Sequence, residues 1–521
     1  MIKLCGQSLG CFFVLTCALN PAVYHDVREH GAKGDGATND TEPLQASVDA
    51  AAKQNGGVVW IPAGTYRCGT IHLKSNIEIH LASGATLQMS PDENDFDPAE
   101  KLPYDSHADV ETTDFRHALL AGDAIHDVAI TGQGAIDGNR TKRGGPKPVA
   151  LRNSQHLTIR GVTIRNAPSY AVSLLGCDYV DVDGVTILNG YADGIDPDSS
   201  RFVRIANCFV ESYDDAICPK TSLALGQRRS TEQLTVTNCV ISSSSNHFKL
   251  GTESSGDFKD IALTNCTMVG RISRAARDYS GIAIESVDGA RIDGLVISNI
   301  AMRDVGYPLF IRLGNRGRGL SDPRPGSLQN VSLTNIIATG ASGASSITGL
   351  PGAAVKQISL DNIRISATGG GRSQRGLNVP EVPAVYPEAN MFGALPAYGF
   401  YVRHADGLTL RNVQVGWEQP DTRSALVFDD VIRLDLDGFI PNTVTGDQPV
   451  VWLNAVRNAL VRGVHLTPHA TEFLRLTGRE TAGISLLGSD FANADEPVHR
   501  GPDVPPSVLS ETGNVVRRKS Q

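Results

Sequence analysis

The sequence has few aromatic residues, no extended basic segment and, beyond its first residues, no long apolar run. Aromatic residues make up 6% of the 521 positions, and the formal net charge is −9. Basic residues cluster only at Arg517-Arg518-Lys519, so the concentrated positive face that phosphate binding needs is lacking. After residue 22 no stretch approaches the roughly 18 apolar residues of a membrane span. We therefore expect a soluble, monomeric protein without a nucleic-acid partner or a membrane span.

Metal-ligand spacing is also lacking. None of the nine cysteines forms a CxxC motif or a Cys/His pattern typical of zinc, so we predict no metal site and no cofactor. Cys208, Cys239 and Cys266 each follow an asparagine in a repeated phrase. This placement favours small core residues that stack in successive repeats, with disulfides as the alternative.

Residues 1–22 form a segment of their own. Lys3 precedes an apolar run over residues 9–19, and small residues follow up to Ala22. The pattern is typical of a short secretory signal and predicts a secreted or periplasmic protein. A lipid anchor at Cys5, Cys11 or Cys17 is an alternative that the sequence leaves open.

A short phrase of alternating apolar residues, ended by Asn or Gly, recurs along the chain. It appears at residues 157–162, 180–185, 203–208, 234–239 and 261–266, with a period of about 23 to 31 residues up to Gly294. Alternation with β-branched residues predicts short strands, and a period this short predicts stacked coils. A β-sandwich or a propeller is the alternative, but a propeller blade needs roughly 40 residues. We predict an all-β protein folded as a single right-handed parallel β-helix.

The amino-terminal part predicts a cap for this solenoid. Residues 41–53 have helical spacing after Asn39-Asp40 and end before Gly56-Gly57. A solenoid exposes core and unpaired strand edge at its ends, so a capping helix is expected there. We place the β-helix domain at residues 23–500, with an insertion loop at about 369–404 and a tail at 501–521.

Two short acidic stretches predict a catalytic groove. Asp193-Gly194-Ile195-Asp196 and Asp214-Asp215 lie about one coil apart, and His247 lies one coil further. Equivalent points on adjacent coils are roughly 4.8 Å apart, so Asp193, Asp214 and Asp215 should share one face. Glycosidic hydrolysis needs a carboxylic acid for the leaving oxygen and a carboxylate that activates water. A solvated turn is the alternative for the Asp pair.

Several phrases resemble glycoside hydrolase family 28, the polygalacturonases. The amino-terminal phrase GAKGDGATNDT…GGVVWIPAGTY resembles the start of β-helix proteins of the pectate-lyase superfamily. Residues 192–200, 213–220 and 246–253 resemble the NTD, DD and GHG phrases of the family. The fourth phrase, usually Gly-x-Arg-Ile-Lys, corresponds to Gly281-Ile282-Ala283-Ile284-Glu285. The chain is thus similar to a divergent member of that family.

The resemblance implies site roles. Asp214 resembles the general acid, and Asp193 and Asp215 resemble the pair that activates water, in an inverting hydrolysis without a metal ion. Contact with sugar is expected from His247, Lys249 and Glu285, and a supporting role from Asp196, Lys220 and Glu253. Ala283 and Glu285 cannot bind a uronate as the family's Arg and Lys do. Either the sugar is neutral there or another cation substitutes, with Lys249, Arg274, Arg277, Arg312 and Arg403 as candidates.

The insertion is richer in aromatic residues than the rest of the chain. We expect Tyr398, Tyr401 and Arg403 to form a wall of the groove that contacts substrate. An apolar plug over the side of the solenoid is the alternative.

The sequence thus predicts a glycoside hydrolase that acts on a pectic or related polysaccharide. A polysaccharide lyase or epimerase on the same fold and a non-catalytic carbohydrate-binding solenoid are the alternatives. The sequence does not determine the sugar or the linkage, nor whether cleavage is endo or exo.

Overall fold

A computed structural model of the chain describes residues 23–270, 279–372, 376–442 and 448–516. The signal-like segment 1–22 and the candidate cations Arg274 and Arg277 lie outside these residues. No helix among the described residues combines the length and the apolar character that a membrane crossing requires.

The chain folds as a right-handed parallel β-helix with three faces, as the repeat predicted. Every pairing between its named strands is parallel, and each strand pairs with the equivalent strand of the next coil, as in Ile205 with Val236 and Val236 with Leu263. The first face contains Tyr24–Asp26, Gly57–Ile61, Ile77–Leu81, His126–Gly132, Gln155–Arg160, Asp178–Asp183, Arg201–Ala206, Thr231–Thr237, Arg457–Arg462, Ala482–Leu487 and Leu509–Thr512. The second contains Asp35–Asn39, Gly64–Cys68, Ala85–Met89, Ala135–Asp137, Thr163–Arg165, Thr186–Gly190, Phe209–Ser212, Val240–Ser243, Ile440–Pro441, Asp490–Phe491 and Val515–Val516.

The third face carries the candidate site. Its strands are Ile71–His72, Ala118–Asp123, Lys147–Arg152, Val172–Leu175, Ile195–Asp198, Phe248–Leu250, Ser280–Ser286, Tyr307–Leu313, Ser345–Thr348, Val451–Asn454, Ala470–Thr477 and Ala494–Arg500. Longer strands bend from one face to the next, and these are Phe258–Gly270, Arg291–Arg303, Ser327–Ala341, Val355–Gly369, Ala397–Gln419 and Ser424–Asp437.

A helix covers the amino-terminal end of the solenoid, as expected. Thr41–Lys53 buries Leu44, Val48 and Ala51 against the first coils. The other helices of the described residues are the α-helix Val110–Thr113 and the 3-10 helices Val27–His30, Glu93–Asp95 and Pro506–Val508. Strand pairing continues through Leu509–Thr512 and Val515–Val516. The solenoid therefore extends past residue 500, where a tail was predicted, because the last strands still pair with the preceding coil.

The interior consists of columns of apolar side chains, one per coil. Ile205, Val236, Leu263, Ile297 and Leu333 form one such column, and each is at most 1% exposed. The six described cysteines are free and buried. Among them Cys208, Cys239 and Cys266 stack at equivalent positions, with the Cys239 N–H 3.4 Å from Cys266 Sγ. The prediction of stacked core cysteines rather than disulfides is confirmed.

An asparagine ladder marks the turn between the first and second faces. Asn335 donates to Asn299 Oδ1 at 3.0 Å and accepts from Asn362 Nδ2 at 2.7 Å. All three have φ between +55° and +57°, a left-handed conformation that asparagine and glycine tolerate better than other residues. The Asn/Gly positions of the repeat are therefore the turn residues that hold successive coils in register.

This ladder gives a stability prediction. Asn335→Ala loses two side-chain hydrogen bonds and strains the turn, which should lower the free energy of unfolding by about 2–3 kcal/mol. Asn335→Gly loses the hydrogen bonds but tolerates the positive φ, so about half of that loss is expected. Urea denaturation compares the variants. Equal loss in both would show that the backbone conformation does not matter at this turn.

Candidate active site

Strand register brings the acids of two coils together on the third face. Ile195 pairs with Ile217 and Ile217 pairs with Phe248. The residues two positions earlier, Asp193 and Asp215, are therefore equivalent on adjacent coils. The Gly194 N–H accordingly donates to the Asp215 carbonyl at 2.9 Å. One carboxylate oxygen of Asp193 lies within 4.8 Å of one of Asp215, close enough for both to bind a single water.

These acids line one polar pocket of about 230 Å³ on the outer side of the third face. Its walls come from turns on either side of this face and from the long loop after Val355–Gly369. The volume lies below the roughly 300–1,000 Å³ of pockets for drug-sized ligands. The lining residues are Asp109, Arg143, Tyr170, Asp193, Asp214, Asp215, Lys220, Lys249, Gly251, Thr252, Glu253, Tyr279, Tyr386 and Glu388.

Asp193 is held by a buried lysine. Lys220 Nζ lies 2.8 Å from Asp193 Oδ2 and 2.8 Å from Asp196 Oδ2, and it sits 4.1 Å from the centre of the Tyr170 ring. Burial and the neighbouring Asp196 raise the pKa of Asp193 well above its ordinary value. Burial likewise raises the pKa of Asp196 to about 6, although Lys220 acts against it. Lys220 therefore orients Asp193 and offsets much of the cost of burying it.

Asp215 is held in its ionised form. Its Oδ1 accepts from Asn246 Nδ2 at 2.8 Å and from Ser245 Oγ at 3.1 Å, and its Oδ2 lies 3.1 Å from Lys249 Nζ. Burial opposes ionisation, but Lys249 and the Asn246 amide outweigh it and lower the pKa of Asp215. A carboxylate held in this way can accept a proton from water.

Asp214 lies at the open side of the pocket. Its side chain is 17% exposed, against 5% for Asp193, and it forms an ion pair with Arg143. The Arg143 guanidinium also bonds to Glu111. Two serine hydroxyls, from Ser212 and Ser243, donate to the Asp214 carbonyl at 2.7 Å each. These bonds fix the turn so that Asp214 and Asp215 point to different parts of the pocket.

The predicted supporting residues also have a place at the site. Lys220 and Glu253 line the pocket, and Asp196 lies just behind it on Lys220. Burial raises the pKa of Glu253 to about 7, and the Asp109 N–H donates to its Oε1 at 3.3 Å. Lys249, predicted to bind sugar, lines the pocket as well.

His247 does not face the pocket, which corrects the prediction of sugar contact. Its ring nitrogens Nδ1 and Nε2 lie 3.2 and 2.9 Å from the carbonyl oxygens of Ser280 and Val269, respectively, and the side chain is buried. Asn246, not His247, occupies the position equivalent to Asp215. The residue after it turns into the solenoid, because side chains alternate between the two sides of a strand. Counting back from the Ile217–Phe248 pair would have identified Asn246.

Tyr398, Tyr401 and Arg403 are also misplaced by the prediction. They belong to strand Ala397–Gln419 and not to the loop before it (the 370–396 loop), of which residues 370–372 and 376–396 are described. Tyr398 packs in the solenoid core, whereas Tyr401 donates to Asp429 Oδ2 at 3.4 Å. Arg403 pairs with Glu381 and Asp429. None of the three lines the pocket, since strand alternation directs the aromatic rings into two buried layers.

The 370–396 loop is both a plug and a wall. Ala389, Phe392 and Leu395 pack on the outer side of the third face, against residues that include Phe310 and Tyr401. This apolar contact matches the plug alternative. Just before these residues in the same loop, Tyr386 and Glu388 reach the pocket, so the predicted wall exists but is formed by different residues.

Sequence reasoning missed Arg143, Tyr170, Asn246 and Glu388. Glu388 lies 142 positions from Asn246, whose Nδ2 is 3.5 Å from Glu388 Oε2, and no local pattern signals that approach.

Glu285 is fully buried and does not line the pocket, although Lys249 and Glu388 act on its charge. Arg312, a candidate cation, bonds to the Glu381 carbonyl at 2.7 Å and lies under the loop instead of in the pocket.

One group of possible cation ligands overlaps the site. Single ligand atoms of Asp193, Asp215 and Cys218 lie within 4.8 Å of one another. The ammonium groups of Lys220 and Lys249 already pair with the two carboxylates. The ammonium groups of Lys220 and Lys249 therefore lie beside these carboxylates, where a divalent cation would bind.

The chain is similar in sequence and in fold to known proteins. The family model described as "Glycosyl hydrolases family 28" matches residues 57–385. A "Probable polygalacturonase" of Vitis vinifera is 26% identical over 65% of this chain and 73% of its own length. An "Exo-poly-alpha-D-galacturonosidase" of Dickeya chrysanthemi is 26% identical over 37% of this chain and 41% of its own length. A hyperthermoactive exopolygalacturonase from Thermotoga maritima, at 22% identity, has the same fold with a TM-score of 0.57 over 67% of this chain and 88% of that one.

Proposed function

Because the chain belongs to glycosyl hydrolase family 28 and is a polygalacturonase-like glycoside hydrolase, we propose that it hydrolyses a pectic or related polysaccharide with inversion. Asp214 is the general acid, Asp193 and Asp215 activate the water, and no metal ion takes part. The observation that carries this proposal is the placement of Asp193 and Asp215 on adjacent coils, with carboxylate oxygens within 4.8 Å of each other.

The proposed mechanism divides the work between the Asp193–Asp215 pair, which activates water, and Asp214, which protonates the leaving group. Asp215, ionised by Lys249 and Asn246, accepts a proton from the water that it binds together with Asp193. Asp214 protonates the leaving oxygen from the open side, which requires that its ion pair with Arg143 be exchanged for a hydrogen bond to substrate. Inversion rests on the family resemblance.

The lysines of the pocket argue against the lyase alternative. A lyase needs a neutral basic group that removes a proton from the sugar. Although burial lowers their pKa values, Lys220 and Lys249 have pKa values well above the ordinary one because of Asp193 and Asp215, respectively. Both lysines are therefore cations at neutral pH and are poor proton acceptors.

A substrate panel tests the function. We expect pectic or related plant-wall oligosaccharides to yield new reducing ends without the ultraviolet absorbance of an unsaturated sugar. With Ala283 and Glu285 in place of the family's Arg and Lys, branched or neutral fragments should be cleaved faster than plain polygalacturonate. Unsaturated products would indicate a lyase, and binding without any product would indicate a carbohydrate-binding solenoid. Efficient cleavage of polygalacturonate would contradict the altered specificity.

Export of the protein is a separate proposal. It rests only on the sequence of residues 1–22, and the expected location is the periplasm or the medium. Fractionation of cells that express the full chain tests it, because protein retained in the cytoplasm at full length would contradict export.

A further inference from the structure

Lys249 is the cation on the side of the pocket where a uronate clamp would be expected. It pairs in register with Ala283 on the next coil, the position that the resemblance gives to the family's arginine. Its ammonium lies 3.1 Å from Asp215 Oδ2 and 3.8 Å from Glu388 Oε1, and 5.6 Å from the centre of the Tyr386 ring. Two carboxylates thus already share this one positive charge.

Glu388 is fixed in this position by its loop. The Asn246 amide lies 3.5 Å from Glu388 Oε2, and Phe392 and Leu395 anchor the chain a few residues later in the apolar layer over Ala283 and Phe310. The Glu388 side chain is 16% exposed, so it keeps access to the pocket. The carboxyl group of Glu388 is therefore held beside Lys249 before any substrate arrives. Burial raises the pKa of Glu388 to about 7, while Lys249 acts to lower it.

The surrounding groups make a third carboxylate beside Lys249 costly. Six carboxylates line the pocket, against the three cations Arg143, Lys220 and Lys249, among the residues that the structure describes. Behind Lys249, Glu285 is fully buried, and neither of its oxygens has a hydrogen-bond partner in the described parts of the chain. Burial raises the pKa of Glu285 well above its ordinary value. A uronate entering here would therefore meet more acids than cations. One further acid, Glu285, lies behind Lys249 and does not ionise easily.

We propose that Glu388 is a specificity-determining residue that occupies the counter-ion position at Lys249, so that the pocket accepts a sugar uncharged at that position. The chemical class is a neutral hexose or a uronate methyl ester. This inference rests on the proposed function, since it concerns the same pocket and the same substrate. Tyr386, which receives a hydrogen bond from Thr252 Oγ1 at 3.2 Å, forms the adjoining wall for an uncharged ring.

Binding to an inactive enzyme tests the proposal without hydrolysis. Oligogalacturonate and its fully methyl-esterified counterpart differ only in the charge of the carboxyl groups, and calorimetry on Asp214→Asn gives a dissociation constant for each. We expect the ester to bind about 10-fold tighter or more. Adding Glu388→Gln leaves Asp215 but not Glu388 as an acid beside Lys249. It should shift the ratio of the two constants about 10-fold towards the free acid, because a like charge beside the ligand is removed.

A control variant that removes a different carboxylate of the pocket tests whether the effect depends on the position of Glu388 and not on the loss of one negative charge. Asp109 also lines the pocket but pairs with Arg318, so Asp109→Asn in the same background should shift the ratio by less than about 3-fold. Circular dichroism verifies that each variant is folded. Tighter binding of the free acid to Asp214→Asn, no binding of the ester, or an unchanged ratio in Glu388→Gln would each overturn the proposal. Absence of hydrolysis by the wild type, with the binding preference intact, would contradict the proposed function alone.

Discussion

Asp214→Asn is expected to lower the rate of hydrolysis by about 10²–10⁴-fold, because asparagine keeps the shape of the side chain but has no proton to give to the leaving oxygen. The turn that carries Asp214 is held through its backbone carbonyl by Ser212 and Ser243. The fold should therefore be unaffected, and the melting temperature should change little. Steady-state kinetics on the substrate found by the panel measures the loss.

A substrate with a better leaving group separates the acid from the other two aspartates. An aryl glycoside with an acidic phenol needs little protonation, so Asp214→Asn should recover most of its activity on it. Asp215→Asn should stay slow on both substrates because water activation is still lost. Asp181→Asn is the matched control, since Asp181 pairs with Arg160 and Arg204 on the first face. Activity of Asp214→Asn within a few-fold of wild type on the natural substrate would contradict the assignment.

Lys220→Met should lower both stability and activity. Lys220 is the cation shared by the buried carboxylates of Asp193 and Asp196. Removing one partner of a buried ion pair leaves an uncompensated charge, and the expected loss in the free energy of unfolding is about 3–5 kcal/mol at neutral pH. Urea denaturation measures it. Lys259→Met is the control, since the Lys259 side chain is exposed and lies 3.5 Å from Asp257. This contact should contribute less than about 1 kcal/mol.

The loss in Lys220→Met should depend on pH in a defined direction. Burial already raises the pKa of Asp193 and of Asp196 in the folded protein, and removal of Lys220 raises both further. A carboxyl whose pKa is raised on folding favours the folded state when it is protonated. Stability of the variant should therefore rise as the pH falls from 7.5 to 5, and the deficit relative to wild type should shrink. A deficit that grows at pH 5 would contradict the roles given to these carboxyls.

Lys220 acts through Asp193 and is a positioning residue. Its loss should move the acidic limb of the pH–rate profile to higher pH, because Asp193 must lose its proton before it can activate water. A purely structural role would lower the amount of folded enzyme without moving this limb. The two outcomes are distinguished by comparing profiles at equal concentrations of folded protein.

The parts of this molecule that repeat could be predicted from the sequence. Each Asn or Gly that ends the phrase is a left-handed turn residue, and the apolar alternation gives the core columns. Asp193 and Asp215 were correctly predicted to share one face, because the chain between them forms one coil with no long loop. The prediction was wrong at His247. It aligned the phrase at residues 246–253 on its histidine, whereas the residue that pairs with Ile217 is Phe248.

The rest depends on contacts that no local pattern encodes. Tyr401 and Phe310 pack outside the solenoid only because the 370–396 loop covers them, so the aromatic residues of this region look like a sugar-binding wall in the sequence. Arg143 reaches Asp214 across 71 positions, and Glu388 reaches Asn246 across 142. These approaches are set by loops whose lengths vary from coil to coil, and the three-dimensional structure is needed to find them.

Proton NMR of the earliest products, recorded during hydrolysis before the anomers equilibrate, shows whether the bond is hydrolysed with inversion and with Asp214 as the acid. The account predicts that the first product signal is the anomer opposite to that of the cleaved bond, that wild type alone produces it at full rate, and that Asp214→Asn delays it by at least 10²-fold. The account would be contradicted by a first product with retained configuration, by the signals of an unsaturated sugar, or by an equal rate in Asp214→Asn.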